Sequence, residues 1–166
     1  MRAFVVVDTN VPVVANGRSE QANPDCVIAC IEALTKVRDS GIVVLDDAML
    51  ILDEYRQNLN LSGQPGVGDL FMKWVWSVQA VAEHCRQVHI TPRQNEPGNF
   101  EEFPDAPELG DFDYSDRKFV AVARASGNDP EVLNAVDSDW ANHYEALARH
   151  GIKIRFLCPQ HVCRPV

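Results

Sequence analysis

The 166-residue sequence contains no long apolar run, so no segment is predicted to span a bilayer. Its N-terminus lacks the basic-then-apolar plan of a secretory signal peptide, because Asp8 interrupts the first apolar stretch. With 46% apolar residues, the composition is that of one ordinary globular domain over residues 1–166. We therefore expect a protein that folds alone and has no membrane partner.

Positive charge is scarce in this sequence. It has 15 lysines and arginines against 24 aspartates and glutamates, which gives a net charge of −9. This balance argues against a protein that holds nucleic acid by broad electrostatic attraction. It leaves open an enzyme that meets phosphates through a metal ion bound by acidic side chains.

Cysteine is too sparse and irregular to predict a disulfide framework. The five cysteines are an odd number without framework spacing, which favours reduced thiols and a cytosolic protein. Cys26 and Cys30 are four residues apart, and Cys158, His161 and Cys163 follow one another loosely, but structural zinc sites usually have tighter cysteine pairs. Small buried thiols are the preferred interpretation.

Several catalytic signatures are also missing from the sequence, namely a Ser-His-Asp set, a glycine-rich phosphate loop and a Cys-His pair.

Short apolar runs alternate with amphipathic helical patterns along the chain. The runs predict strands at 3–7, 42–45, 88–90, 132–136 and 152–157, with helices between them, among them 116–126 and 140–150. This alternation predicts an α/β fold with a mostly parallel sheet in three layers.

The first predicted strand ends in three polar residues, Asp8, Thr9 and Asn10. Ligand crevices in open α/β sheets lie beyond the carboxyl ends of the strands. An aspartate there is costly to desolvate unless it binds a cation or a hydrogen-bond donor. Asp8 is therefore a candidate metal ligand, and capping of the following helix is the structural alternative.

Further carboxylates occupy comparable positions. Asp137 and Asp139 follow the fourth predicted strand, Asp116 lies in the first turn of the helix before it, and Glu54 lies in an apolar helix. Like charges brought together destabilise a fold unless a cation neutralises them. Hard divalent ions such as Mg²⁺ and Mn²⁺ prefer such oxygen ligands. The set therefore predicts an acidic metal pocket.

Most of these acids have structural alternatives. Asp116 also suits a helix N-terminus for dipole reasons, and Asp139 also suits a cap. Glu54 could be a solvated helix residue with Asp53 in the pocket, but its apolar neighbours favour Glu54. The acid pair at 46–47 is interpreted as a helix cap.

Four motifs in this order resemble the PIN-domain nuclease family over nearly the whole chain. They are Val6-Val7-Asp8-Thr9-Asn10, Leu52-Asp53-Glu54-Tyr55, the run 115–123 that begins Ser115-Asp116-Arg117-Lys118, and the run 134–140 that contains Asp137-Ser138-Asp139. The resemblance implies an acidic pocket that binds Mg²⁺ or Mn²⁺, formed by Asp8, Glu54, Asp116 and Asp137, with Asp139 as a further acid. It also implies that Thr9 and Asn10 shape the pocket floor.

Two features depart from the family pattern. Many members have Ser or Thr two residues before the fourth acid, where this sequence has Ala135, so a hydrogen bond that orients Asp137 is missing. The segment 91–113 is longer than its counterpart in the compact bacterial toxins of VapC type. Membership of that toxin branch would imply an inhibitory antitoxin-like protein, and a homodimer is a further expectation.

The expected function is Mg²⁺- or Mn²⁺-dependent cleavage of phosphodiesters in single-stranded RNA, and the resemblance implies 3′-hydroxyl and 5′-phosphate products. The basic residues nearest the pocket, expected to hold the strand, are Arg93, Arg117, Lys118 and Arg124. One alternative is Mg²⁺-dependent phosphoryl transfer on a receiver- or phosphatase-like domain, which needs a lysine at the end of a late strand. Another is a degenerate PIN domain that only binds a protein.

The segment 91–113 has seven acids, four prolines and Arg93 as its only basic residue. Its prolines and glycines exclude a long helix or strand. Because it directly precedes Asp116, we expect its end at the pocket rim, either as an anionic gate or as a solvated surface loop.

Two tryptophans, Trp74 and Trp76, fall on different faces of one predicted helix, so at most one of them is in the core. The other is expected to stack on a base or to mark a subunit interface.

Overall fold

A computed structural model describes residues 2–162. The strands are β1 (Ala3–Val7), β2 (Gly41–Asp46), β3 (Cys85–Val88), β4 (Glu131–Asn134) and β5 (Lys153–Phe156). The helices are α1 (Asn10–Ala15), α2 (Pro24–Ser40), α3 (Leu50–Asn58), α4 (Val67–Val78), α5 (Arg117–Ser126), α6 (Ser138–Asn142), α7 (Tyr144–Arg149) and α8 (Pro159–Val162). Short 3₁₀ turns lie at Pro107–Leu109 and Tyr114–Asp116. Within these residues, no helix has the length and apolar character needed to cross a membrane.

The five strands form one all-parallel sheet in the order β3-β2-β1-β4-β5, flanked by helices. The predicted three-layer α/β/α fold is therefore confirmed. Strand β1 is central, and its Val6 and Val7 are almost fully buried, as expected of a strand covered on both faces. The carboxyl ends of β1 and β4 are adjacent, because Val7 pairs with Leu133.

Polar side chains accept the first backbone N–H groups of helices α2 and α3. The side chain of Asn23 accepts the backbone N–H of Cys26 at 2.9 Å and opens α2 with Pro24 in its first turn. The interpretation of the acid pair 46–47 as a cap is confirmed for Asp46, whose carboxylate accepts three backbone N–H groups before and within α3. The carboxylate of Asp46 therefore has a structural role.

Three element boundaries differ from the prediction. Strand β3 covers Cys85–Val88 rather than 88–90, since this edge strand has two exposed polar residues and no clear apolar pattern. Strand β4 ends at Asn134 rather than 136, because the next backbone N–H, that of Ala135, binds the side chain of Asn10 at 2.7 Å. The predicted helix 140–150 is interrupted at His143, whose ring contacts Asp139 and Asp111 and whose φ is −108°.

The segment 91–113 contains no long helix or strand, as predicted, but it is packed against the domain. Its inward-facing side chains Phe100, Phe103, Leu109 and Phe112 are buried. Phe112 stacks on Phe103 and contacts the edge of Trp140. The acidic side chains of the segment lie on the outer side of these buried apolar residues.

A disulfide joins Cys26 of α2 to Cys158, which directly precedes α8. The expectation that the cysteines are reduced thiols is therefore wrong for this pair. Its 132-residue separation leaves no local spacing signal, which is why the sequence did not reveal it. Cys30 and Cys85 are free and buried, as expected, and Cys163 lies outside the described residues. The sulfur of Cys30 lies within 4.8 Å of the disulfide sulfurs.

Candidate active site

Three carboxylates meet at the carboxyl edge of the sheet. Asp8 follows β1, Asp137 follows β4, and Asp116 ends the 3₁₀ turn before α5. One oxygen from each lies within 4.8 Å of the others. Parallel strands end at the same edge, so the pairing of β1 with β4 brings the first two acids together.

Asp8 is the most deeply placed of the three. Its Oδ1 accepts the backbone N–H of Asn10 at 3.0 Å, whereas its buried Oδ2 makes no well-formed hydrogen bond among residues 2–162 and has the buried indole N–H of Trp140 as its nearby donor. Burial raises the pKa of Asp8 to about 7, with a further contribution from the charges of Asp137 and Glu54. A buried carboxylate oxygen without a well-formed hydrogen bond is costly, so this position is suited to a cation.

Asp116 is similarly perturbed. Burial, together with the carboxyls of Asp8 and Asp137, raises the pKa of Asp116 to about 10. The cluster therefore holds at least one proton at neutral pH or needs a positive charge in its place. Three oxygen donors at this spacing fit a hard divalent ion such as Mg²⁺ or Mn²⁺.

Glu54 lines the same cavity from α3 but stands outside the group of three. It accepts hydrogen bonds from Thr9 Oγ1 and from Lys118 Nζ, the latter at 2.7 Å. Its neighbour Tyr55 fixes α3 against the sheet, since the Tyr55 hydroxyl donates to the carbonyl of Val7 at 2.5 Å. Asp53 lies away from the cavity and pairs with Arg56 at 3.3 Å.

Asn10 and Asn134 tie the two central strand ends together beneath the acids. Asn10 Nδ2 donates to Asn134 Oδ1 at 2.7 Å, and Asn134 Nδ2 donates to the carbonyl of Asp137 at 3.1 Å. Asn134 therefore supports the backbone of Asp137 where Ala135 offers no hydroxyl. Asn134 was not among the predicted site residues, although an amide at the end of an apolar run was a signal in the sequence, and the structure shows that this amide is fully buried.

Asp139 is not brought into the three-carboxylate group. Its Oδ2 accepts the backbone N–H of Asp113 at 2.9 Å, and its Oδ1 lies 3.1 Å from Nδ1 of His143. Asp139 therefore anchors the end of the acidic segment beside the site, and its own backbone N–H donates to Asp137 Oδ1 at 2.9 Å.

The four basic residues expected to hold a strand have different positions. The expectation is wrong for Arg117, which is buried, donates to the carbonyls of Leu109, Gly110 and Phe112, and lies over the rings of Phe103 and Tyr114. Its position beside Asp116 in sequence gave no sign of this, because one helical step turns the side chain away from the pocket.

Arg93 and Arg124 bind carbonyls of the acidic segment, those of Phe100 and Glu102 respectively. Neither lines the acidic cavity. Lys118 is the member of the set that hydrogen-bonds a cavity residue, through Glu54.

The cavity has a volume of about 480 Å³. Besides the predicted residues, its walls include Val13, Gln21, Asn58, Ser115, Val136 and Ser138. Gln21 and Asn58 were missed because a polar residue in a loop or at a helix end has no distinguishing sequence pattern. No residue of 91–113 forms part of this wall.

No protein-family model matches the chain, and no match was found among curated proteins or solved structures. The fold and the acidic cavity therefore rest on the geometry described above, and the resemblance to PIN-domain nucleases stays a prediction.

Proposed function

We propose that the protein is a divalent-metal-dependent endoribonuclease of PIN-domain type. The observation that carries the proposal is the cluster of Asp8, Asp116 and Asp137, in which one oxygen of each carboxylate lies within 4.8 Å of the others and two of the three residues are buried. Structural carboxylates are normally separated or paired with cations. A grouping that destabilises the apoprotein is expected at a functional site.

In this proposal Asp8, Asp116 and Asp137 hold Mg²⁺ or Mn²⁺. When bound, the ion supplies a water of lowered pKa and neutralises charge on the reacting phosphate. Asn10 and Asn134 fix the backbone that carries the acids, so the ligands need little rearrangement. Lys118 donates to Glu54, which lines the cavity, and so would add a positive charge beside the cavity that favours an incoming phosphate.

RNA as the substrate, the 3′-hydroxyl and 5′-phosphate products, an antitoxin-like inhibitor and a homodimer rest on the family resemblance. A cytosolic location is also part of the proposal, and the Cys26–Cys158 disulfide counts against it, because thiol reductants keep cytosolic pairs reduced. The phosphoryl-transfer alternative is weaker, since the lysine bonded to a cavity residue, Lys118, comes from helix α5 and not from a strand end.

The test is incubation of the purified protein with end-labelled single-stranded RNA, single-stranded DNA and duplex RNA in Mn²⁺, Mg²⁺ or EDTA. We expect cleavage of single-stranded RNA that EDTA abolishes. Asp8→Asn and Asp116→Asn should reduce the rate at least ~100-fold, as expected for loss of a metal ligand. Asp105→Asn, which removes an exposed carboxylate, serves as the matched control. Cleavage that persists in EDTA or in both variants would contradict the proposal.

A further inference from the structure

A second cavity, the α3–α4 groove, lies between the end of α3 and α4 and has a volume of about 690 Å³. Its lining is Arg56, Gln57, Asn58, Leu59, Asn60, Leu61, Met72, Lys73, Trp76 and Ser77. Leu59 and Met72 are buried apolar residues, and the two cationic side chains are exposed. No carboxylate belongs to this lining, although the chain as a whole carries a net charge of −9.

Trp76 is a partly exposed aromatic residue in the groove. It is 38% exposed, whereas Trp74 packs against Phe71 and His84 at ring distances of 6.0 and 5.5 Å. The guanidinium carbon of Arg56 lies 5.7 Å from the centre of the Trp76 ring. An aromatic platform flanked by cations is the arrangement with which single-stranded nucleic acid is bound without dependence on sequence.

The groove adjoins the acidic cavity. Asn58 is part of the lining of both, and it lies one helical turn after Glu54 on α3. The two residues are linked directly, since Asn58 Nδ2 donates to the carbonyl of Glu54 at 2.8 Å. A chain whose phosphate lies in the acidic cavity can therefore continue past Asn58 into the groove.

We propose that the α3–α4 groove is the subsite for a nucleotide that flanks the scissile phosphate of single-stranded RNA. The inference rests on the proposed ribonuclease function. The base stacks on Trp76, and Lys73 and Arg56 contact the neighbouring phosphates. Arg56 is available for this role because its pair with Asp53 is largely exposed and therefore weak. The cationic lining, which contains no carboxylate, favours an anionic strand over an apolar helix.

The first experiment is a scan with abasic sites along a fluorescein-labelled RNA octamer, cleaved in Mn²⁺ by wild type, Trp76→Ala and Trp76→Phe. We expect Trp76→Ala to raise KM by ~5- to 100-fold with little change in kcat, because the variant loses the stacking of one base. Trp76→Phe should retain most of the affinity. One abasic position should weaken wild type and have no further effect on Trp76→Ala. Tyr144→Ala removes a comparably exposed aromatic residue outside the groove and should match wild type.

The second experiment replaces charge. Lys73→Gln should raise KM and lower the salt dependence of KM by about one counterion, whereas Lys36→Gln, an exposed lysine outside the groove, should change neither. Equal KM values for wild type, Trp76→Ala and Lys73→Gln on a substrate that wild type cleaves would refute the proposed subsite but not the proposed ribonuclease function. Absence of metal-dependent cleavage by wild type would instead overturn the proposed function. Sedimentation that shows a wild-type dimer and a Trp76→Ala monomer would assign the groove to a second copy and refute the inference.

Discussion

Replacement of Asp8 by asparagine should make the metal-free protein more stable at neutral and alkaline pH. Asparagine keeps the oxygen that accepts the Asn10 N–H, and it removes a negative charge from a cluster that contains two other carboxyls. Because the pKa of Asp8 is raised from 3.8 to about 7 in the folded protein, folding becomes less favourable as pH rises between these values. The penalty is absent below about pH 4 and complete above about pH 7.

The shift corresponds to at most about 4 kcal/mol. Proton uptake by Asp116 relieves part of the repulsion, so we expect Asp8→Asn to stabilise the metal-free protein by about 2 kcal/mol at pH 8. That is a rise in Tm of about 4–8 °C for a domain of this size.

The assay is thermal unfolding in EDTA at intervals from pH 4 to pH 8, comparing wild type, Asp8→Asn and the exposed control Asp105→Asn. The stability gain of Asp8→Asn should increase with pH up to about pH 7, while Asp105→Asn follows wild type. A loss of stability at pH 8, or a gain that is the same at pH 4 and pH 8, would refute the reasoning.

Three further predictions concern metal binding, the acidic segment and the disulfide. Saturating Mn²⁺ at 100 times its Kd should stabilise wild type by about 2.7 kcal/mol and raise its Tm, and it should leave Asp116→Ala unchanged in calorimetry; equal shifts in both would place the metal elsewhere. Arg117→Ala should lower the free energy of unfolding in urea by about 3 kcal/mol, since it removes three carbonyl contacts and two aromatic contacts, whereas the exposed Arg124→Ala should cost less than about 0.5 kcal/mol. Reductant should destabilise the protein by about 2–5 kcal/mol by opening the Cys26–Cys158 bridge, and a Cys26→Ala/Cys158→Ala double variant should not respond to it.

The fold was predictable because its signals are local. The apolar runs that form β1 and β2 are short and β-branched, and the Asn23-Pro24 pair opens α2 as capping rules require. Edge strand β3 was misplaced because it has little apolar pattern to detect. His143 interrupts a helix through contacts with Asp111, a residue 32 positions earlier, and no local preference encodes such a contact.

The candidate site was predictable where it depends on strand ends. Asp8 and Asp137 follow apolar runs, and the parallel pairing of β1 with β4 brings them together. The sequence could not separate Lys118, which donates to Glu54, from Arg117, which lies over the rings of Phe103 and Tyr114 in the segment just before it. Side-chain direction at the start of α5 decides between them, and it is set by tertiary packing.

The strand order has a consequence for synthesis of the protein. The central strand β1 is made well before its neighbour β4, because β2, β3 and the helices α1 to α5 are made between them. At roughly 5–20 residues per second, translation from Asp8 to Asp137 takes on the order of 10 s. During that interval the nascent chain has one of the two strand-end carboxylates and lacks the other. The three-carboxylate cluster can therefore form only after Asp137 has been made, and chains that terminate before Asp137 lack one of its members.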